Sequence, residues 1–193
     1  GAQTLNVLVG HKCRRVIDAA VEQMNKLSFC SMLAINEPKS KFAKLMYDIT
    51  DESLTKIYTV SGGSEANESA IKLARRARAK VGADKIISFL GSYHGATYGA
   101  TSLTGLVTCK PTYIGPDMPG TVHVPMPYCY RCYWGKKYPD CELECAKIIE
   151  NYIVQDGPDH YVAMIMEPII SAKGVIIPPK EYLLKVRELT KKY

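Results

Sequence analysis

Apolar residues recur every three to four positions from Cys13 to Leu27, at Val16, Ile17, Ala20, Val21, Met24 and Leu27, which is the spacing of one helix face. A second helix is predicted from about Pro38 to Ile49, with the proline in its first turn. Short runs at Val7–Val9, Lys56–Val60, Lys85–Phe89 and Val122–Val124 read as strands. Between them, the pattern from Ser64 to about Val81 predicts a helix stopped by Gly82. Its small-residue face of Ala66, Ala70, Leu73, Ala74 and Ala77 is expected to let it approach a sheet closely. A short helix is predicted around Thr97–Leu103, then an irregular Gly- and Pro-rich excursion over 105–121. Glu142–Ile153 and Pro179–Lys192 carry helical patterns. Tyr161–Met166 is a continuous apolar run, the kind buried on both faces of a parallel sheet. Strands alternating with helices predict an α/β fold, a mostly parallel sheet flanked by helices, forming one domain or part of one.

Charge and composition narrow the classes. The net charge of +6 is mild, and its densest clusters, Lys72–Lys80 and Lys185–Lys192, alternate with Ala, Leu and Val at helical spacing. They read as solvated helix faces, so no nucleic-acid partner is expected. No apolar run approaches the roughly 20 residues that cross a bilayer, so no membrane partner is expected. The chain begins at Gly1 with neither a basic start nor an apolar core; its first residues are read as processed, trimmed or internal, and the compartment as cytoplasmic. Cys13, Cys30 and Cys109 are scattered and read as ordinary small hydrophobes in a reducing compartment.

The stretch Ser61-Gly62-Gly63-Ser64-Glu65-Ala66-Asn67-Glu68-Ser69-Ala70 carries the strongest chemical signal. Two glycines and a serine between a predicted strand and helix place bare N–H groups at the positive end of a helix dipole, a seat for a phosphate. The pattern lacks the Gly-x-Gly-x-x-Gly of dinucleotide folds and the Gly-Lys-Ser/Thr of a P-loop, which disfavours nucleotide binding by those routes. Standing alone it also reads as a tight turn with a serine near a helix start. Two further segments follow predicted strands: Ser92-Tyr93-His94-Gly95, and Met166-Glu167-Pro168 with a Gly174 loop and Pro178-Pro179.

In this order and spacing the three segments resemble the class III aminotransferases, which use pyridoxal 5'-phosphate, and the likeness extends over nearly the whole chain, including Leu5-Asn6-Val7 and Glu37-Pro38. The resemblance implies the partial large domain of a fold-type I enzyme. Residues 1–50 would form its opening strand and helices, and 51–193 a cofactor-binding α/β segment with a cysteine-rich loop at 126–145. It implies Gly63, Ser64, Tyr93, His94 and Glu167 as cofactor-binding residues: Gly63 and Ser64 on the phosphate, Tyr93 stacked on the ring, Glu167 beside the pocket. His94 is open between lining the site and supporting it, and Tyr93 alone also reads as a half-buried strand-end tyrosine. Substrates would be an amine and a keto acid, and the assembly a homodimer. Ala96 and Ala172 stand where 4-aminobutyrate-type members carry an arginine and often a glutamate. That pattern resembles the pyruvate-dependent ω-aminotransferases instead. No lysine falls at the family's Schiff-base position, which is expected beyond residue 193, as is the aspartate that faces the pyridine nitrogen.

Cys129, Cys132, Cys141 and Cys145 form a Cys-x2-Cys and a Cys-x3-Cys pair among Tyr128, Tyr130, Tyr133 and Trp134. The spacing is compatible with tetrahedral zinc, but the tyrosines, Trp134 and Pro139 favour a reduced, metal-free aromatic loop. A zinc-stabilised, non-catalytic module of the same fold is the alternative to an enzyme.

Overall fold

The computed structural model describes residues 6–31, 33–79, 82–110 and 115–193. Contacts divide the chain into two units, Gly1–Tyr58 and Thr59–Tyr193.

The first unit holds two helices, α1 (Arg14–Lys26) and α2 (Glu37–Ile49). Asn36 caps α2 by accepting the N–H of Lys39 at 2.9 Å, and Pro38 occupies its first turn. Neither helix buries a residue among those described. Among the described residues, neither Val7–Val9 nor Lys56–Val60 forms the predicted strand, since both runs lie outside every ladder described. Extended backbone becomes a strand only when a neighbour takes its hydrogen bonds, and among the described residues neither run has one. Leu5, Val81 and residues 111–114 of the predicted excursion lie outside the described residues.

The second unit is built on three parallel strands in the order β2-β1-β3: β1 (Lys85–Phe89), β2 (Thr121–Val124) and β3 (Tyr161–Met164). Around it lie α3 (Gly63–Ala77), α4 (Tyr98–Leu103), α5 (Glu144–Asp156) and α6 (Lys180–Lys192). The two-residue period of β1 divides the core. Ile87 and Phe89 pack with Ala146, Ile149 and Ile153 of α5 and Tyr182, Val186 and Leu189 of α6. Ile86 packs on the other side with Ile71 of α3 and Leu103 of α4. Ser88 shares that second direction, and its hydroxyl is hydrogen-bonded with His123 Nδ1 at 2.9 Å.

Two expectations are corrected. The run 161–166 is not buried on both faces: beyond Tyr161 it is half-buried, because β3 pairs only with β1 and stands at the edge of this sheet. Ile165 still donates to Ile87 at 2.8 Å past the end of the ladder. Nor does α3 turn its alanines inward. Ala66, Ala70 and Ala77 are exposed and Leu73 is 62% exposed, while Ile71 is buried. Polar anchors fix the rotation instead. Arg75 donates to the carbonyls of Pro119 (2.6 Å) and Asp84 (3.2 Å), and Asn67 and Glu68 reach the loop after β1.

Candidate cofactor site

The site lies at the C-terminal ends of β1 and β3, where open α/β sheets gather their ligands. Helix α3 opens at Gly63 with Gly62 as its N-cap, and its first intrahelical bond runs from Ala66 to the Gly62 carbonyl at 3.0 Å. The N–H groups of Gly63 and Ser64 therefore have no intrahelical acceptor and sit at the positive end of the dipole. Glu65 takes the N–H of Ser61 at 2.7 Å. A Cβ on Gly62 or Gly63 would meet nothing within 4 Å. The glycines keep the approach to these N–H groups open; Gly62, at φ −167°, is in extended backbone that any residue adopts.

One stripe of α3, spaced by three and four residues, clamps the loop after β1. The Ser64 hydroxyl accepts the N–H of Ala96 at 3.0 Å, and Asn67 donates to the His94 carbonyl at 2.5 Å. Glu68 accepts from the Thr97 hydroxyl (2.6 Å) and from the N–H groups of Gly99 (2.8 Å) and Ala100 (3.1 Å), and so caps α4. Burial works to raise the Glu68 carboxyl, but the bonds from Thr97, Ala100 and Gly99 together outweigh it and hold it below the usual range. The loop can come this close only as glycine: a Cβ on Gly95, at φ +133°, would lie 2.5 Å from the Ser64 hydroxyl.

Glu167 closes the far side. Its Oε1 accepts the Tyr93 N–H at 2.8 Å, and its Oε2 accepts from the Ser171 N–H (3.2 Å) and hydroxyl (3.3 Å). The acid ending the apolar strand run thus ties the Tyr93 loop to the Ser171 loop. Tyr93 is 42% exposed, so its side chain is accessible from solvent. His94 is 6% exposed; its N–H goes to the Thr104 hydroxyl at 2.9 Å, and its buried Nε2 has no partner. Burial holds this imidazole below its ordinary pKa, with nearby Glu167 pulling the other way.

Of the residues singled out in the sequence, Ser64, Tyr93 and Glu167 are joined through one loop, with Gly63 in the adjoining turn and His94 beneath. Asn67 and Glu68 were missed as functional residues. Their signal was present in the stripe Ser64, Asn67, Glu68, three polar side chains on one edge of an otherwise alanine-rich helix.

The cysteine loop stands apart from these residues. All seven cysteines are free thiols, and Cys109 is exposed rather than a packed small hydrophobe. Burial pushes the Cys145 thiol up to about 12, with Cys129 and Cys141 adding to the effect, and Cys129 is raised by burial and by Cys141 and Cys132. Thiols held this firmly protonated are poor nucleophiles. As the side chains stand, no group of three or more His, Cys, Asp or Glu among the described residues is arranged to hold a metal ion.

The family model for class III aminotransferases matches residues 2–193. A probable gamma-aminobutyrate transaminase 4 from Oryza sativa subsp. japonica is 35% identical, with 100% of this chain aligned to 41% of that protein. A putrescine–pyruvate aminotransferase from Pseudomonas aeruginosa is 32% identical over 97% of this chain and 42% of its own length. Among solved structures, the taurine:2-oxoglutarate aminotransferase from Bifidobacterium kashiwanohense, in complex with PLP and glutamate, superposes with a TM-score of 0.83 at 34% identity. That match covers 95% of this chain and 41% of the solved one, so the chain spans about two fifths of the length of the relatives it matches. With the motifs in place and nearly every residue matched, the chain belongs to the class III aminotransferase family.

Proposed function

We propose that this chain supplies the phosphate seat and the ring-facing loop for pyridoxal 5'-phosphate in an aminotransferase. The enzyme would move an amino group from an ω-amine or amino acid to a keto acid such as pyruvate. The observation that carries this reading is the open turn at Gly62 and Gly63, with unbonded first-turn N–H groups, clamped by Ser64 to the loop that bears Tyr93. These residues fit the cofactor: the helix N-terminus suits a dianionic phosphate, and the accessible tyrosine ring suits a flat heteroaromatic. Bound there, pyridoxal phosphate supplies the electron sink for chemistry at the amine-bearing carbon.

The chain's own residues bind and orient. Gly63 and Ser64 donate N–H groups to the phosphate, Tyr93 fixes the tilt of the ring, and Glu167 holds Tyr93 in place through its backbone. His94, buried and bonded through its N–H to Thr104, supports the loop. The pyruvate preference rests on Ala96 and Ala172 and on the putrescine–pyruvate relative. A homodimer is consistent with the exposed apolar residues of α1 and α2, Val16, Phe42 and Leu45 among them. A cytoplasmic setting is consistent with the seven free thiols.

The test is an assay of the full protein, saturated with the cofactor, using pyruvate against taurine, putrescine, β-alanine and 4-aminobutyrate, with alanine as the readout. Alanine formation is expected with at least one primary ω-amine and least with 4-aminobutyrate. No alanine from any donor, by cofactor-loaded enzyme, contradicts the proposal.

A further inference from the structure

Three segments build the candidate site, residues 61–68, 91–98 and 167–176, and their acids and bases are treated differently by the fold. Each of the three acids is engaged by the protein itself. Glu65 takes the Ser61 N–H, Glu68 takes Thr97, Gly99 and Ala100, and Glu167 takes the N–H groups of Tyr93 and Ser171. His94 is buried. That leaves Lys173, the one lysine or arginine of the three segments, which makes no hydrogen bond or ion pair with any described residue.

The backbone that presents Lys173 is held from both sides. Ile170 and Ile176, both buried, exchange their N–H···O bonds at 2.9 and 3.0 Å. Between them the chain reverses, and the N–H groups of Gly174 and Val175 are both donated to the Ser171 carbonyl, at 3.3 and 3.2 Å. Ser171 is in turn tied to Glu167 through its N–H and its hydroxyl. Val175 sits at φ 58°, a left-handed conformation that is a true outlier for a β-branched residue. Such strain persists where the surroundings over-determine it, and it gathers at ligand-binding segments. Lys173 stands exposed within this turn. Its Cγ lies 3.5 Å from the point that a Cβ on Gly91 would occupy, so its stem rests by the end of the β1 run, two residues before Tyr93. Two methylenes and the ammonium extend beyond that contact.

We propose that Lys173 is the receptor for the anionic tail of the amino donor, the carboxylate of β-alanine or the sulfonate of taurine. It would thereby favour short ω-amino acids over neutral and cationic amines. The inference rests on the aminotransfer reading above. Without Lys173, an anionic tail arriving at the C-terminal ends of the strands would face three carboxylates and no cation from these segments. An ammonium on a flexible stem meets carboxylate or sulfonate alike as a point charge, without the fixed fork of a guanidinium. The cation stands beside Gly91 and not at Ala96, where the 4-aminobutyrate-type members carry their arginine. The longer 4-aminobutyrate therefore remains the poorer donor.

The experiment compares wild type, Lys173→Met and Lys173→Arg in the full protein, loaded with cofactor and given pyruvate, on β-alanine, taurine and the neutral 1-aminopropane. Lys173→Met should raise KM for β-alanine and taurine about tenfold and leave KM for 1-aminopropane within about twofold. Lys173→Arg, which keeps the charge, should restore most of the loss. An equal rise on all three donors, no rise on any, or a rise confined to the KM of pyruvate would each overturn the proposal. Calorimetric titration with propanesulfonate, which carries the tail and lacks the reacting amine, gives a second readout that needs no turnover. Binding weakened about tenfold by Lys173→Met supports the receptor even if no donor yields alanine, a result that would count against the aminotransfer reading alone. Propanesulfonate binding that is absent from the wild type, or equal in wild type and Lys173→Met, overturns it.

Discussion

Helices α1, α2, α5 and α6 have the same length, 13 residues, and all four carry an apolar stripe, yet they meet different fates. The last two bury Ala146, Ile149, Ile153, Tyr182, Val186 and Leu189 against β1 and β2. The first two bury nothing among the described residues, and Val16, Val21, Phe42 and Leu45 stay exposed. What holds α1 and α2 as helices is local: the Asn36 cap and (i, i+4) ion pairs such as Glu22–Lys26 and Glu37–Lys41. An amphipathic pattern therefore specifies a face and leaves its partner open. Packing energy is concentrated in the second unit, and so are the residues proposed to hold the cofactor.

The sharpest way to break this comparison is a pair of truncations. Ile149→Ala in the core should cost about 2–5 kcal/mol, whereas Val21→Ala on α1 should cost no more than about 0.5 kcal/mol. Urea unfolding of each variant measures both, and similar losses would show that α1 is packed after all.

The clamp between α3 and the Tyr93 loop should come next. Glu68→Ala strips three hydrogen bonds from Thr97, Gly99 and Ala100 and should cost about 1–3 kcal/mol. Gly95→Ala, with its Cβ against Ser64 and its positive φ, should cost a similar amount, on the order of 1–3 kcal/mol. Gly63→Ala is the contrast: its Cβ meets nothing, so stability should hold or rise slightly, while the affinity for the cofactor falls.

A smaller effect is a slope with pH. Burial depresses both His94 and His123, the latter helped by Lys110 and opposed by Asp117. Each binds its proton more weakly folded than unfolded. Stability should be full above the ordinary value of 6.5 and fall as pH drops below it. His123→Asn should flatten part of that slope in unfolding midpoints measured across the range. Smallest of all is Tyr182→Phe. The Tyr182 hydroxyl is buried without a partner, so its removal should be neutral or stabilising by up to about 1 kcal/mol.

Much of the second unit was readable because its signals are local. Lys85–Phe89 is the strand its β-branched run predicted, and the glycine turn opens α3 one residue before the predicted start. The misreadings share a physical cause, in that each depended on a distant partner. Val7–Val9 and Lys56–Val60 have strand composition and, among the described residues, no ladder to join. The alanine face of α3 reads as a packing face, but the helix is rotated by Asn67, Glu68 and Arg75, whose acceptors and donors lie in other segments. Asn67 and Glu68 were invisible as site residues for the same reason. Their partners are backbone atoms of His94, Gly99 and Ala100, and a backbone atom leaves no mark on the sequence.

The central claim is that the start of α3 and the Tyr93 loop together seat the cofactor, and a crystal structure of the full protein with pyridoxal 5'-phosphate tests it most directly. The account predicts the phosphate within hydrogen-bond distance of the Gly63 and Ser64 N–H groups and the ring stacked on Tyr93. An ordered cofactor whose phosphate lies away from that turn, or whose ring makes no contact with Tyr93, would contradict it.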